Sequence, residues 1–295
     1  MLLLSEQETR NALPFAELID ALAEMFRTGC EMPVRHHHDL KVPGEPDATM
    51  LLMPAWVPGG HAGVKVVNVM PGNADRGMPA VSAEYLLSDA TTGEMLALIN
   101  GGELTARRTA AASALAARFL ARKDARHLVL VGTGRLSLNL IGAHMAVRPI
   151  TKVSIWGRSA ERAKEAAGEA QRLYGVEASA AADLDEAVAE ADIVSACTLS
   201  STPLIKGALL KPGAHVDLVG AFKPDMRESD DDAVRRASVF VDTRAGCRKE
   251  GGDIVQPLNS GVLAEADINA DLYELCRGMH IGRNDDSEIT LFKSV

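Results

Sequence analysis

Gly132 and Gly134 stand where an apolar, β-rich run, HLVLV at 127–131, gives way to helical spacing at Leu136, Leu140, Ala143 and Val147. Residues so placed can hold a pyrophosphate. Glycines let the backbone turn sharply and approach the phosphates, while the new helix aims unpaired N–H groups and its positive dipole end at their charge. Ser137 takes the third small-residue position of the pattern, and Val153 to Trp156 read as the second strand of a βαβ unit. That strand runs into Gly157, Arg158 and Ser159, with no carboxylate for an NAD ribose hydroxyl. Arg158 and Ser159 can instead hold a 2′-phosphate by charge-assisted hydrogen bonds. NADP is therefore the expected cofactor, with NAD as the alternative.

Lys65 interrupts the apolar run Val64 to Val67. A buried, unpaired ammonium is costly, so either an anion meets it or the strand lies at an edge and the lysine faces solvent. Partial desolvation would also lower its pKa and fit it for proton donation. Arg107 and Arg108 point about 100° apart on a helix, so they cannot share one role. His36, His37 and His38 are adjacent, which is poor geometry for one ion, and no metal site is expected.

The elements that must position these groups are legible in outline. Ser5 and Glu8 form a capping box, and Leu18, Ala21, Leu22, Met25 and Phe26 give an amphipathic helix. Residues 49–56 and 61–70 read as strands, and 80–88 with 95–99 as a hairpin. A helix over 104–119, N-capped by Thr105, places Arg108 in its first turn and leads into the glycine-motif strand. Beyond 157, helices (159–173, 183–190, 230–237) and strands (193–197, 215–219, 239–242) alternate as in a parallel sheet. The run at 289–292 need not belong to that sheet.

A chain of 295 residues that is 47% hydrophobic suits about two domains. A net charge of −9 without a basic cluster argues against a nucleic-acid surface. Leu2 to Leu4 is too short and too soon charged for a signal peptide, and no run reaches membrane-spanning length, so a cytoplasmic protein is expected. The four cysteines show neither paired-motif nor metal spacing and are expected to be reduced.

Several segments taken together resemble the ornithine cyclodeaminase/μ-crystallin family: GVKVVNVMPGN, LLSDATTGEMLALINGGELTARRTAA, GTGRLS, WGRS, ADIVSACT, VGAFKPDMRE and EITLFKSV, with Arg35 after Met32 and Pro33. The similarity covers essentially the whole chain, and LTARRTAA with EITLFKS is far more specific than the glycine motif. The resemblance implies an α/β protein in which a Rossmann-type dinucleotide-binding domain, 119–270, is inserted into a split α+β substrate-binding and dimerisation domain, 1–118 plus 271–295. It implies hydride exchange between a nicotinamide and the α-carbon of a small amino or imino acid, in a homodimer.

The resemblance selects Arg108 as carboxylate clamp and catalytic residue, Lys65 as substrate contact and acid, and Arg35 as a third contact. It assigns Gly132, Thr133, Gly134 and Arg135 to the phosphate turn and Arg158 and Ser159 to the adenosine ribose. Thr109, Cys197, Thr198, Val219, Gly220, Lys293 and Ser294 are placed along the cofactor. Ornithine cyclodeaminases carry an Asp two residues after the Gly of the VGG segment; here that position is Phe222. Phenylalanine cannot accept a proton, so the resemblance points to an NAD(P)H-dependent imine reductase rather than an ammonia lyase using bound NAD. A non-catalytic, crystallin-like NADPH binder is the third reading.

Overall fold

A computed structural model describes residues Met1 to Val295, with every side chain except that of Ala74. The chain divides into two compact units, Met1–Pro14 with Thr28–Arg108, and Phe15–Arg27 with Thr109–Val295.

The first unit contains β1 (Leu2–Leu4), α1 (Glu6–Ala12), β2 (His36–Leu40), β3 (Ala48–Trp56), β4 (His61–Val69), β5 (Val81–Asp89) and β6 (Met95–Asn100). The capping box forms as expected: Ser5 Oγ accepts from Glu8 N, and the Glu8 carboxylate accepts from Ser5 N. The strands make one sheet in the order β1-β6-β5-β4-β3-β2, an antiparallel meander to whose edge β1 adds in parallel. Asp89 closes the β5–β6 turn by accepting from Thr91 N and Thr92 N. The histidine triplet lies on the exposed edge strand β2.

The second unit holds α2 (Phe15–Thr28) and most of α3 (Gly101–Leu120), followed by β7 (His127–Val131), α4 (Leu136–Met145), β8 (Lys152–Trp156), α5 (Ala160–Tyr174), β9 (Glu177–Ala180), α6 (Leu184–Glu190), β10 (Ile193–Ala196) and β11 (His215–Leu218). It ends with α7 (Asp231–Arg236), β12 (Ser238–Val241), α8 (Arg244–Glu250), α9 (Gly252–Ser260), β13 (Ile268–Asp271), α10 (Leu272–Cys276) and β14 (Thr290–Lys293). Its eight strands are all parallel, in the order β13-β12-β14-β11-β10-β7-β8-β9. The order reverses between β7 and β10, the switch point of a doubly wound Rossmann-type sheet.

Alternation along the strands builds two cores. Leu128 and Leu130 of β7 pack with Ile19, Leu115, Leu120 and Leu140 on one face. Val129 and Val131 pack with Val188, Ile205 and Val234 on the other. Each such fully buried side chain contributes about 1.5–3 kcal/mol relative to exposure.

Three expectations are corrected here. The boundary expected at 118 falls at Arg108, and Phe15–Arg27 belongs to the second unit. The segment 271–295 joins the parallel sheet instead of the first unit: β14 is hydrogen-bonded between β11 and β12 and is buried on both faces, the natural place for the apolar run TLF. The long helix starts at Gly101, not Leu104, because Asn100 Oδ1 accepts from Glu103 N at 2.8 Å and caps it. Arg108 is thus the eighth helical residue, beyond the first turn and the reach of the helix dipole.

Candidate active site

In the first unit the sheet register sets one row of side chains. Lys65 stands opposite Met53 on one side and Tyr85 on the other. Arg35 immediately precedes β2, one residue before the His36–Leu52 pair, and lies close enough for its charge to reach Lys65. Arg108 comes from α3. Lys65 is half-buried, and its pKa is pushed down to about 8, first by burial and then by the charges of Arg108 and Arg35. The charges of Arg35 and Arg108 thus both reach the Lys65 ammonium.

Arg107 does something else. It is 8% exposed, its Nε donates to Leu13 O at 2.7 Å, and its guanidinium lies 3.9 Å from the buried Glu103, which Arg10 also holds at 2.8 Å. The adjacent arginines separate as the helical angle requires, one fixing the chain and the other joining the cation cluster.

In the second unit the glycine turn sits at the switch point. Gly132 has φ 127°, open to glycine, and a Cβ there would meet Cys197 Sγ at 2.9 Å. A Cβ on Gly134 would enter open space, so backbone can be approached closely there. Ser137 is buried, and its Oγ donates to Gly132 O at 3.0 Å, tying the turn to the first turn of α4. Arg135, the N-cap residue, makes no side-chain capping bond. Thr133 lies in the same turn. A glycine turn at a helix N-terminus, buried at Gly132 and exposed at Gly134 and Arg135, fits a dinucleotide's pyrophosphate. At the end of β8, Arg158 is exposed and Ser159 N-caps α5, its Oγ accepting from Arg162 N at 3.3 Å.

The other expected cofactor positions lie at the carboxyl edge of the same sheet. Cys197 and Thr198 follow β10, and Val219 and Gly220 follow β11; burial and the Glu228 carboxylate push the Cys197 thiol up to about 12, so it is no nucleophile. Thr109 sits on α3 as the first residue of this unit's long segment. Lys293 is placed differently from a ligand contact: fully buried, it donates to Leu218 O at 3.1 Å and to Ser294 O. Phe222 is 46% exposed, with Lys223 Nζ 5.9 Å from its ring centre.

Glu228 escaped the sequence reading. It is fully buried, and its two carboxylate oxygens accept from Thr198 N (2.6 Å), Thr198 Oγ1 (2.8 Å), Gly220 N (2.7 Å) and Ala221 N (3.3 Å). In an acidic stretch, RESDDD, nothing in its spacing separates it from solvated neighbours. Among the described residues, no group of three or more His, Cys, Asp or Glu could hold a metal ion, and no helix is long and apolar enough to cross a membrane.

Comparison with known proteins adds to this geometry. The model of the ornithine cyclodeaminase/mu-crystallin family matches residues 1–295. A Delta(1)-pyrroline-2-carboxylate reductase of Paracoccus denitrificans is 39% identical over 294 residues, 99% of this chain and 90% of that protein. The structure of Thermococcus litoralis Delta(1)-pyrroline-2-carboxylate reductase in complex with NADH and L-proline superposes with a TM-score of 0.90 at 34% identity, covering 100% of this chain and 92% of that one. An archaeal alanine dehydrogenase dimer with bound NAD gives 0.88 at 29% identity, covering 100% and 90%.

Proposed function

The chain belongs to the ornithine cyclodeaminase/mu-crystallin family, and from that premise we propose that it is an NAD(P)H-dependent reductase of a small α-imino acid, of the ketimine or Δ1-pyrroline-2-carboxylate type. The observation that carries the reading is the gathering of Arg35, Lys65 and Arg108, close enough for the two guanidinium charges to lower the Lys65 pKa. The curated and solved relatives support the same reaction class.

When bound, a reduced nicotinamide supplies the hydride that converts the C=N carbon into a C–H centre. The chain's own residues bind, orient and protonate. Arg108 and Arg35 grip the carboxylate, Arg108 bidentately, which fixes the adjacent carbon. Lys65, protonated at neutral pH, gives a proton from Nζ to the imine nitrogen and regains one from solvent. No carboxylate stands at position 222 to activate a distal amine, so the arrangement favours simple reduction over cyclising deamination.

For the dinucleotide, the Gly132–Arg135 turn would hold the pyrophosphate. Thr109, Cys197, Thr198, Val219, Gly220 and Ser294 would line the remainder, Lys293 serving from within by bracing Leu218 and Ser294. Arg158 and Ser159, with no competing acidic residue at that strand end, support NADPH over NADH. A homodimer is supported by the dimeric archaeal relative and by the half-buried apolar side chains of β3 and β4.

The test is steady-state oxidation of NADPH and NADH against Δ1-pyrroline-2-carboxylate, Δ1-piperideine-2-carboxylate, and pyruvate with ammonia. Turnover with a cyclic imine at lower KM for NADPH is expected, and Arg158→Ala should raise the NADPH KM tenfold or more while leaving NADH nearly unchanged. No oxidation with any imine would overturn the reading.

A further inference from the structure

The β10–β11 ladder runs out where Val219 N donates to Ala196 O at 2.8 Å. From there one side chain joins the two strand ends. Glu228 Oε1 takes both donors of Thr198, at 2.6 and 2.8 Å, and Oε2 takes Gly220 N and Ala221 N, at 2.7 and 3.3 Å. The fit is tight: a Cβ on Gly220 would lie 1.9 Å from Thr198 O and 2.7 Å from Glu228 Oε1. Glu228 is held in turn by Asp253 of α9, whose Oδ1 accepts from Glu228 N and Ser229 N, both at 2.9 Å, and from Ser229 Oγ at 3.1 Å.

Two fully buried carboxylates side by side are a costly way to tie two loops, since each resists desolvation and repels the other. The tied loops lie at the carboxyl edge of the sheet, next to the strand-order reversal where a doubly wound sheet receives its ligand. Resting on the dinucleotide reading above, we infer that Glu228 is a positioning residue that sets Thr198, Gly220 and Ala221 as one platform for the nicotinamide half of the cofactor, acting through those residues and touching no reacting atom.

The platform is proton-sensitive. Facing Glu228 are Asp253 from α9, Lys293 from β14 and Cys197 at the end of β10, the last a neutral thiol. Burial and the Asp253 charge push the Glu228 carboxyl up to about 7, against Lys293 and the Thr198 bonds. Protonation places an O–H among four donors and loosens the join.

The experiment measures NADPH dissociation constants and steady-state constants from pH 6 to pH 8 for the unchanged chain and Glu228→Gln, which turns an NH2 toward one loop's donors. At pH 8, E228Q should weaken NADPH binding and raise its KM at least tenfold, with kcat at saturation within threefold and a cooperative thermal transition retained. The ratio between the two proteins should narrow as pH falls to 6, because the unchanged chain loses its own join; the 2′-phosphate titrates in both and cancels. Folded E228Q with unchanged NADPH affinity, or a ratio indifferent to pH, would overturn the inference. Should E228Q not fold, Asp253→Asn decides, because it keeps the Oδ1 acceptor for Glu228 N and Ser229 N while removing the neighbouring charge that raises the Glu228 carboxyl: a loss of NADPH affinity that sets in at lower pH than in the unchanged chain supports the inference, and an unshifted loss overturns it. Failure of the unchanged chain to bind NADPH or NADH would instead overturn the dinucleotide reading, and this inference with it.

Discussion

Tyr85 stands directly across the β4–β5 pair from Lys65, and its hydroxyl lies 2.0 Å from where a Cβ on Gly63 would be. The ring therefore crosses β4 diagonally, over a glycine and alongside the lysine on the same face. Gly63→Ala would drive the ring out of that position. Overpacking of this kind costs about 1–3 kcal/mol. Thermal or denaturant unfolding should show that loss, and G63A combined with Tyr85→Ala should be less destabilised than the two single changes added together. Additive losses would mean that the ring does not rest on Gly63.

Lys65 should give the reaction its alkaline limb. Its pKa is pushed down to about 8, so the proton-donating form predominates at neutral pH and is lost above it. For imine reduction, kcat/KM should be flat below that point and fall about tenfold per pH unit beyond it. Arg108→Met removes one of the two repelling charges, so the limb should move to higher pH even as the rate drops. A pH–rate profile for both proteins checks it, and a limb that does not move would separate Arg108 from Lys65.

Arg107 and Arg108 should fail in different ways. Arg108→Ala is expected to lower kcat/KM by about 2–5 kcal/mol of transition-state stabilisation, with little change in unfolding. Arg107→Ala leaves Leu13 O without its donor and weakens the Glu103 cluster, which should cost about 1–3 kcal/mol of stability. Kinetics and unfolding run on both variants read the contrast, which reversal of the two phenotypes would contradict.

Acid stability carries two opposed contributions. Burial pushes His215 down to about 3 from 6.5, so below pH 6.5 the unfolded chain takes a proton that the native chain refuses, and stability falls as pH drops through that window. Burial of Asp217 would raise its pKa, but hydrogen bonds from His144 and Ser195 hold it below its usual value, so its stabilisation is lost at still lower pH. Glu228 acts the other way: raised to about 7 from 4.5, it makes the native chain the better proton binder between those values. Thermal midpoints from pH 7 to 4 should therefore fall more steeply in E228Q than in the unchanged chain. Parallel curves would mean that Glu228 binds its proton equally well in the folded and the unfolded chain.

The readable parts of the sequence were those where a residue conflicts with its surroundings. Gly132 and Gly134 break an apolar strand, and Lys65 puts a charge inside one, so both announced themselves. Gly101 and Gly102 misled because glycine is a poor helix former, while the cap that overrides them, Asn100, sits at a strand end. The run at 289–292 looked apolar enough for a strand, but its place between β11 and β12 depends on sheet order, which no local pattern encodes. Arg107 and Arg108 are identical in type, and only the helix's orientation separates them. Glu228 closes the segment VGAFKPDMRE yet was passed over, because three of its four donors are backbone amides, which leave no mark on the sequence.

The most direct measurement follows the hydride itself. NADPH carrying deuterium at both C4 positions of the nicotinamide, incubated with the enzyme and Δ1-pyrroline-2-carboxylate, should yield proline with one deuterium on its α-carbon, one equivalent per NADPH oxidised, by mass spectrometry. Proline formed without deuterium, or ammonia released from ornithine with no net oxidation of NADPH, would contradict the account.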